Sequence, residues 1–120
     1  MNYEEMIKIA YDALDDKKAH AIKILDIEKI STIADYFVIA SASSQNQMIA
    51  MADNVDEKLT KAGCSVKSIE GAGSDTWILM DYGFCLVHIF SDEARSFYNL
   101  ERMWKDATDV TETFRPILKN

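Results

Sequence analysis

The sequence is poor in several things, and each shortage removes a class of function. It has two cysteines, Cys64 and Cys85, and two histidines in 120 residues. Four-ligand zinc sites draw on several such side chains, and Cys85 with His88 is the only close pair. On a helix that C-x-x-H spacing would converge on one face. On a strand, positions three apart point to opposite faces. FCLVHIF reads as a strand, so neither a metal site nor a Cys–His nucleophile pair is expected. In a reducing cytosol the two thiols are expected to be free and buried rather than bridged. His88 is expected to pack, on one face with Phe84, Leu86 and Phe90. The four glycines form no Gly-x-Gly-x-x-Gly and no Walker loop. No apolar run approaches the roughly 20 residues that span a bilayer, so no membrane association is expected. The N-terminus, MNYEEMIKIAYDALDD, lacks the basic start of a signal peptide and the arginines of a transit peptide, and a cytoplasmic protein is expected.

Basic charge is also scarce. Thirteen Lys and Arg face 20 Asp and Glu, for a net charge of −7, with acids in excess in both halves. Phosphate backbones are bound mainly through Lys and Arg, so little direct nucleic acid binding is expected. An acidic surface suits a basic protein partner, or serves solubility alone.

What is present is an α/β pattern. Tyr3, Met6, Ile7, Ala10, Tyr11 and Leu14 recur at helical spacing, and Asn2 with Glu5 resembles a capping box. AIKILDIEKI (21–30) is a strand candidate. YFVIASA (36–42) is almost continuously apolar, as in a central strand buried on both faces. Ser44 and Gln47 form a capping box for a second helix, whose stripe is Met48, Met51, Ala52, Val55, Leu59 and Ala62, with Gly63 as a stop. SVKSIEG, TWILMDYG and FCLVHIFS read as three further strands, the last two joined at Tyr82-Gly83. Ser91 caps a third helix, with Asp92 and Glu93 beside the positive end of its dipole. Phe97, Leu100, Met103, Trp104 and Ala107 share one face of it. Arg115-Pro116, with the sole proline, blocks further helix there. The expectation is one α/β domain with a mixed five-stranded sheet and packed helices over residues 1–107, followed by a C-terminal tail, 108–120.

An α/β domain with a Gly-Ser pair invites comparison with divalent-metal nucleotide-binding or nucleotidyltransferase enzymes, which need Gly-Ser at a helix start and an Asp-x-Asp on the next strand. Here Gly73-Ser74 lies in a strand-to-strand turn, and Asp26-Ile27-Glu28 is the nearest carboxylate pair. That reading is kept as the alternative. No catalytic set, metal or cofactor is expected. The conspicuous remainder is aromatic. Trp77 and Leu79 share a strand face with Asp81, and Tyr98, Glu101 and Trp104 lie on or beside the last apolar helix face. Large aromatics beside carboxylates suit an interface with a polar rim. Trp77 and Trp104 are equally readable as core residues.

Six stretches in order carry a resemblance: DYFVIASASSQNQM (35–48), MADNVDEKL (51–59), IEG (69–71), WILMDYG (77–83), VHIF (87–90) and EARSFYNLERMW (93–104). Together, over about Ala21 to Ala107, they resemble the ribosomal silencing factor family, also called Iojap-like. The resemblance implies a nucleotidyltransferase-like fold without catalytic residues. It implies a repressor that binds the large ribosomal subunit through its ribosomal protein fourteen and blocks joining of the small subunit. Some members form homodimers. Matched by motif, the implied contact residues are Trp77, Leu79, Asp81 and Tyr82 with Tyr98, Leu100, Glu101 and Trp104. The sequence departs from the family at Ala42, often Gly, and at Asn46, often a base.

Overall fold

The computed structural model describes residues 2–115. The first helix, α1, spans Tyr3–Asp16, and the Asn2 side chain accepts the Glu5 N–H at 3.2 Å. Met6, Ile7, Ala10, Tyr11 and Leu14 are buried along it, as the spacing predicts. Tyr3 sits at the rim, stacked on Phe84 at 4.4 Å. Strand β1 is His20–Asp26, and β2 is Tyr36–Ala42. All of β2 after Tyr36 is buried, which matches its unbroken apolar run.

Helix α2, Gln45–Lys61, starts at Ser44, whose hydroxyl accepts the Gln47 N–H. The Gln47 side chain reaches back one residue further than the standard box and accepts the Ser43 N–H at 2.9 Å. Met48, Met51, Val55 and Leu59 are fully buried. Asn54 is buried beside them, where its amide donates to the Ala13 carbonyl at 2.8 Å and ties α2 to α1. A buried donor needs such a partner.

The remaining strands are β3 (Ser68–Glu70), β4 (Trp77–Asp81) and β5 (Cys85–Ser91). The β4–β5 turn is tight. Gly83 has φ +85°, and the Asp81 carboxylate accepts its N–H at 2.7 Å. An L side chain is disfavoured at that φ.

Two expectations need correction. Among the described residues the sheet has six strands, not five, in the order β3-β4-β5-β2-β1-β6. The sixth, β6, is only Thr108–Asp109 and pairs with β1 through Leu25 and Asp26. It lies in the segment set apart as a tail, together with the helical turn α5, Thr111–Phe114, whose Phe114 is buried in the main core. Two residues are too few to show a strand's alternation. The third helix is also not continuous. It divides into α3, Asp92–Tyr98, and α4, Leu100–Met103, at Asn99. Asn99 takes φ 32°, ψ 64°, and its side chain caps α4 by accepting the Arg102 N–H. Asn is among the few residues that enter the left-handed region readily.

Among the described residues only β2 and β5 run parallel, and the other neighbouring pairs are antiparallel. One sheet face packs on α1 and α2, which bury Ile24, Val38, Ala40, Ile78, Met80, Cys85, Val87 and Ile89. The other carries a smaller core of Leu25, Phe37, Ile39 and Phe90 under Ala94, Leu100 and residues 27 and 34. Among the described residues, no helix is long and apolar enough to cross a membrane.

Candidate functional site

Strand alternation settles which side chains share the thinly covered face. Along β4, Trp77, Leu79 and Asp81 are part-exposed, while Ile78 and Met80 between them are buried in the main core. Across the β4–β5 ladder, Trp77 faces Phe90, Leu79 faces His88 and Asp81 faces Leu86. Cys85 and His88 therefore lie on opposite faces, as their spacing on a strand requires. Both thiols are free and buried. Burial pushes the Cys85 thiol well above its ordinary range. Phe84 does not join His88. It precedes the regular strand and packs in the main core against α1.

Trp77 is the centre of an aromatic cluster. Its ring lies 5.0 Å from both Phe90 and Tyr98 and 5.8 Å from His88. Its indole N–H donates to His88 Nδ1 at 3.2 Å. That bond makes Nδ1 the acceptor, which leaves the proton of the neutral ring on Nε2. Nε2 is buried without a hydrogen-bond partner among the described residues. Desolvation lowers the His88 pKa to about 4, so the ring is neutral at pH 7. Its place is structural: it orients Trp77 from beneath and meets Phe37 edge-on at 4.8 Å.

Tyr98 continues the cluster outward. It is 40% exposed, and Phe97 beside it is 81% exposed, with the two rings 5.1 Å apart. Met103 on α4 is 73% exposed. Trp104 is part-buried, edge-on to Phe37 at 5.0 Å. The helical spacing had put Phe97 and Met103 on a buried stripe. Both face solvent instead, Phe97 from α3 and Met103 from α4, which restarts in a new direction after the break at Asn99. Two clefts border the Trp77–Tyr98 ridge. One, of about 270 Å³, is lined by Thr76, Ser91, Glu93, Ala94, Phe97 and Tyr98. The other, of about 180 Å³, is lined by Glu70, Gly71, Trp77 and Leu79. Each contains a carboxylate and neither contains a Lys or Arg.

The eight residues matched by motif are thus divided. Trp77, Leu79, Asp81, Tyr98, Glu101 and Trp104 reach the surface at least in part. Leu100 is buried in the smaller core. Tyr82 follows β4 and turns into the core on the opposite face, where burial raises its phenol pKa. Glu101 is engaged: its carboxylate accepts the Arg95 Nε–H at 2.9 Å. The sequence reading missed the exposure of Phe97 and Met103, the role of Arg95 and the indole bond to His88, whose packed place it did expect. The one signal for the first pair was an asparagine in the middle of a helical pattern.

This arrangement offers an apolar, aromatic ridge with acidic borders. Among the described residues it brings no nucleophile beside a base: His88 is sealed against Trp77, and the Cys85 side chain lies on the other face of the sheet. A family model described as "Ribosomal silencing factor during starvation" matches residues 1–119. A ribosomal silencing factor RsfS from Bacillus subtilis is 43% identical over 107 residues, 89% of this chain and 91% of that protein. A chloroplastic Iojap protein from Zea mays is 30% identical over 85% of this chain and 44% of its own length. The crystal structure of a Chromobacterium violaceum protein superposes with a TM-score of 0.85 at 33% identity, covering 88% of each chain.

Proposed function

The chain belongs to the ribosomal silencing factor family, and from that premise we propose that it represses translation. It binds the large ribosomal subunit through ribosomal protein fourteen and blocks joining of the small subunit. The observation that carries this reading is the exposed Trp77–Tyr98 ridge between two clefts bordered by Glu93 and Glu70. A basic protein surface fits it in both charge and hydrophobicity. Trp and Tyr are the side chains most often found at the energetic centre of interfaces. Leu79, Asp81 and Trp104 extend the contact, and Leu100 supports it from below, while Tyr82 packs in the core on the other face of the sheet.

The mechanism is occlusion. A folded body of 37 × 31 × 31 Å, seated where the small subunit docks, leaves no room for it. The proposal needs no catalysis, metal or cofactor. It includes a nucleotidyltransferase-like fold without that activity, a cytoplasmic location and a possible homodimer.

The test is a gradient profile of isolated ribosomal subunits with and without the protein. Co-sedimentation with the large subunit at low micromolar concentration, with fewer joined ribosomes, is expected. Failure to sediment with the large subunit refutes the partner. Binding without any effect on joining refutes occlusion.

A further inference from the structure

The elbow between α3 and α4 carries Tyr98 and leads into Trp104, yet it is short and thinly packed. Seven residues of α3 and four of α4 bury little beyond Ala94 and Leu100. Something else must hold it against the sheet. Arg95 stands at the inside of the elbow with its side chain only 11% exposed. Its Nε–H donates to Glu101 on α4 at 2.9 Å, and its Nη2–H donates to the Ala21 carbonyl of β1 at 2.7 Å. Its own carbonyl accepts the Asn99 N–H at 3.0 Å, at the break itself. One side chain therefore joins α3, α4 and β1.

The acceptor on β1 is unusual. Ala21 has φ 48°, within a stretch where the β1–β2 register shifts between His20 and Lys23. A left-handed alanine is strained, and such strain persists where surrounding contacts enforce it. Here the enforced feature is the carbonyl that Arg95 grips. Next to it, His20 Nδ1 lies 3.0 Å from the Asp92 carboxylate and ties the start of α3 to the same bulge.

We propose that Arg95 is a positioning residue. With the Ala21 bulge and Glu101 it forms a brace that fixes the α3–α4 elbow and so places Tyr98 beside Trp77 and Trp104 against Phe37. Glu101 then belongs to the brace rather than to the contact surface. The proposal rests on reading that surface as the partner-binding one. Charge-assisted hydrogen bonds from a planar guanidinium are directional, which suits a part that sets geometry.

The experiment compares the parent chain with Arg95→Ala, Arg95→Lys, Glu101→Gln and Ala21→Gly. Residue-resolved hydrogen exchange and near-ultraviolet circular dichroism are measured together with large-subunit binding. In Arg95→Ala, the amides of Asn99, Met103 and Trp104 should exchange at least tenfold faster, with β2 and β5 unchanged. The Trp77–Tyr98 near-ultraviolet signal should change, and binding should weaken at least tenfold. Arg95→Lys reads the same amides and serves if the alanine variant does not fold. Glu101→Gln keeps an acceptor for Nε–H and should retain part of the parent's protection. Ala21→Gly keeps the carbonyl and relieves its left-handed strain, so the elbow amides should exchange no faster than in the parent, and faster exchange overturns the part given to the bulge. Unchanged exchange at residues 99–104, or an equal rise across the whole sheet, overturns the brace. Faster elbow exchange with parental binding overturns its role in placing the surface. If the parent itself does not bind large subunits, the functional reading fails, while exchange and spectrum still decide the brace.

Discussion

Replacing Trp77 with alanine separates an anchor from a core residue, and the structure sets the size of both effects. The side chain is half-buried, touching Phe90, Tyr98 and His88 by ring contacts and hydrogen bonding to His88 Nδ1. Its loss removes one part-buried hydrogen bond, at a net cost of about 0.5–1.5 kcal/mol, because water entering the vacated space replaces the indole donor at that nitrogen. Ring contacts add a fraction of the roughly 0.5–1.5 kcal/mol that each aromatic pair contributes. The outer edge of the indole already meets solvent, so water refills the vacated space. The roughly 3–5 kcal/mol penalty of a sealed aromatic cavity is therefore not reached. Trp77→Ala should lower stability by about 2 kcal/mol and the melting midpoint by about 10 °C. Its effect on binding should be larger. An indole at an interface centre contributes roughly 2–4 kcal/mol, which is about 30-fold to 1,000-fold in affinity. Thermal unfolding and a large-subunit titration on the same preparation measure both. Parental affinity combined with a loss of 3–5 kcal/mol in stability would show that Trp77 supports the core and is no anchor.

Three further outcomes follow from specific contacts. His88 has a pKa depressed to about 4 by burial. The unfolded chain therefore takes up this proton first as pH falls, and stability present above about pH 6.5 is lost progressively down to about pH 4, by about 3 kcal/mol. Denaturant unfolding of the parent and of His88→Gln across that window should diverge, and parallel curves would remove the assignment. Asp81→Lys should slow association with the large subunit in stopped-flow at low salt, and added salt should shrink the difference; an unchanged rate at low salt refutes the acidic contact. Asn99→Ala loses the α4 cap and retains a strained backbone, for about 2 kcal/mol of instability, whereas Asn99→Gly should cost only a few tenths. Equal losses in chemical denaturation would show that conformation does not govern that position.

Periodicity made the larger parts of this fold legible. The α1 and α2 stripes, the doubly buried β2, the Ser44 cap and the tight Tyr82-Gly83 turn all follow from spacing and local chemistry. So does the separation of Cys85 from His88, because a strand has only two faces. Spacing failed where a single backbone dihedral decides. Phe97, Leu100, Met103 and Trp104 keep helical intervals, yet Asn99 at φ 32° reorients the chain between them. It failed again at Phe84, which lies one residue outside the regular strand, and at β6, which is too short to carry a pattern. The candidate surface was legible in part. Trp77, Leu79 and Asp81 were placed by alternation alone. The burial of Tyr82, the pairing of Glu101 with Arg95 and the indole bond to His88 depend on contacts between distant segments.

The single parallel pairing in the sheet bears on how the chain reaches this structure. β1 and β2 are near neighbours in sequence, as are β4 and β5, so each antiparallel pair closes a short loop. β2 and β5 pair from Tyr36 with Cys85 through Ala42 with Ser91, and that seam closes a loop of about fifty residues, for which entropy must be lost before any contact forms. Non-local pairings of this kind slow folding. The two hairpins are thus local halves joined through α2, whereas the seam between β2 and β5 is non-local, and the β1–β6 pairing of Leu25 with Asp109 closes a longer loop still. Phe37, on β2, and Trp104, beyond β5, meet only across that seam. The Trp77–Tyr98 ridge, by contrast, lies entirely within the later half and takes shape with it.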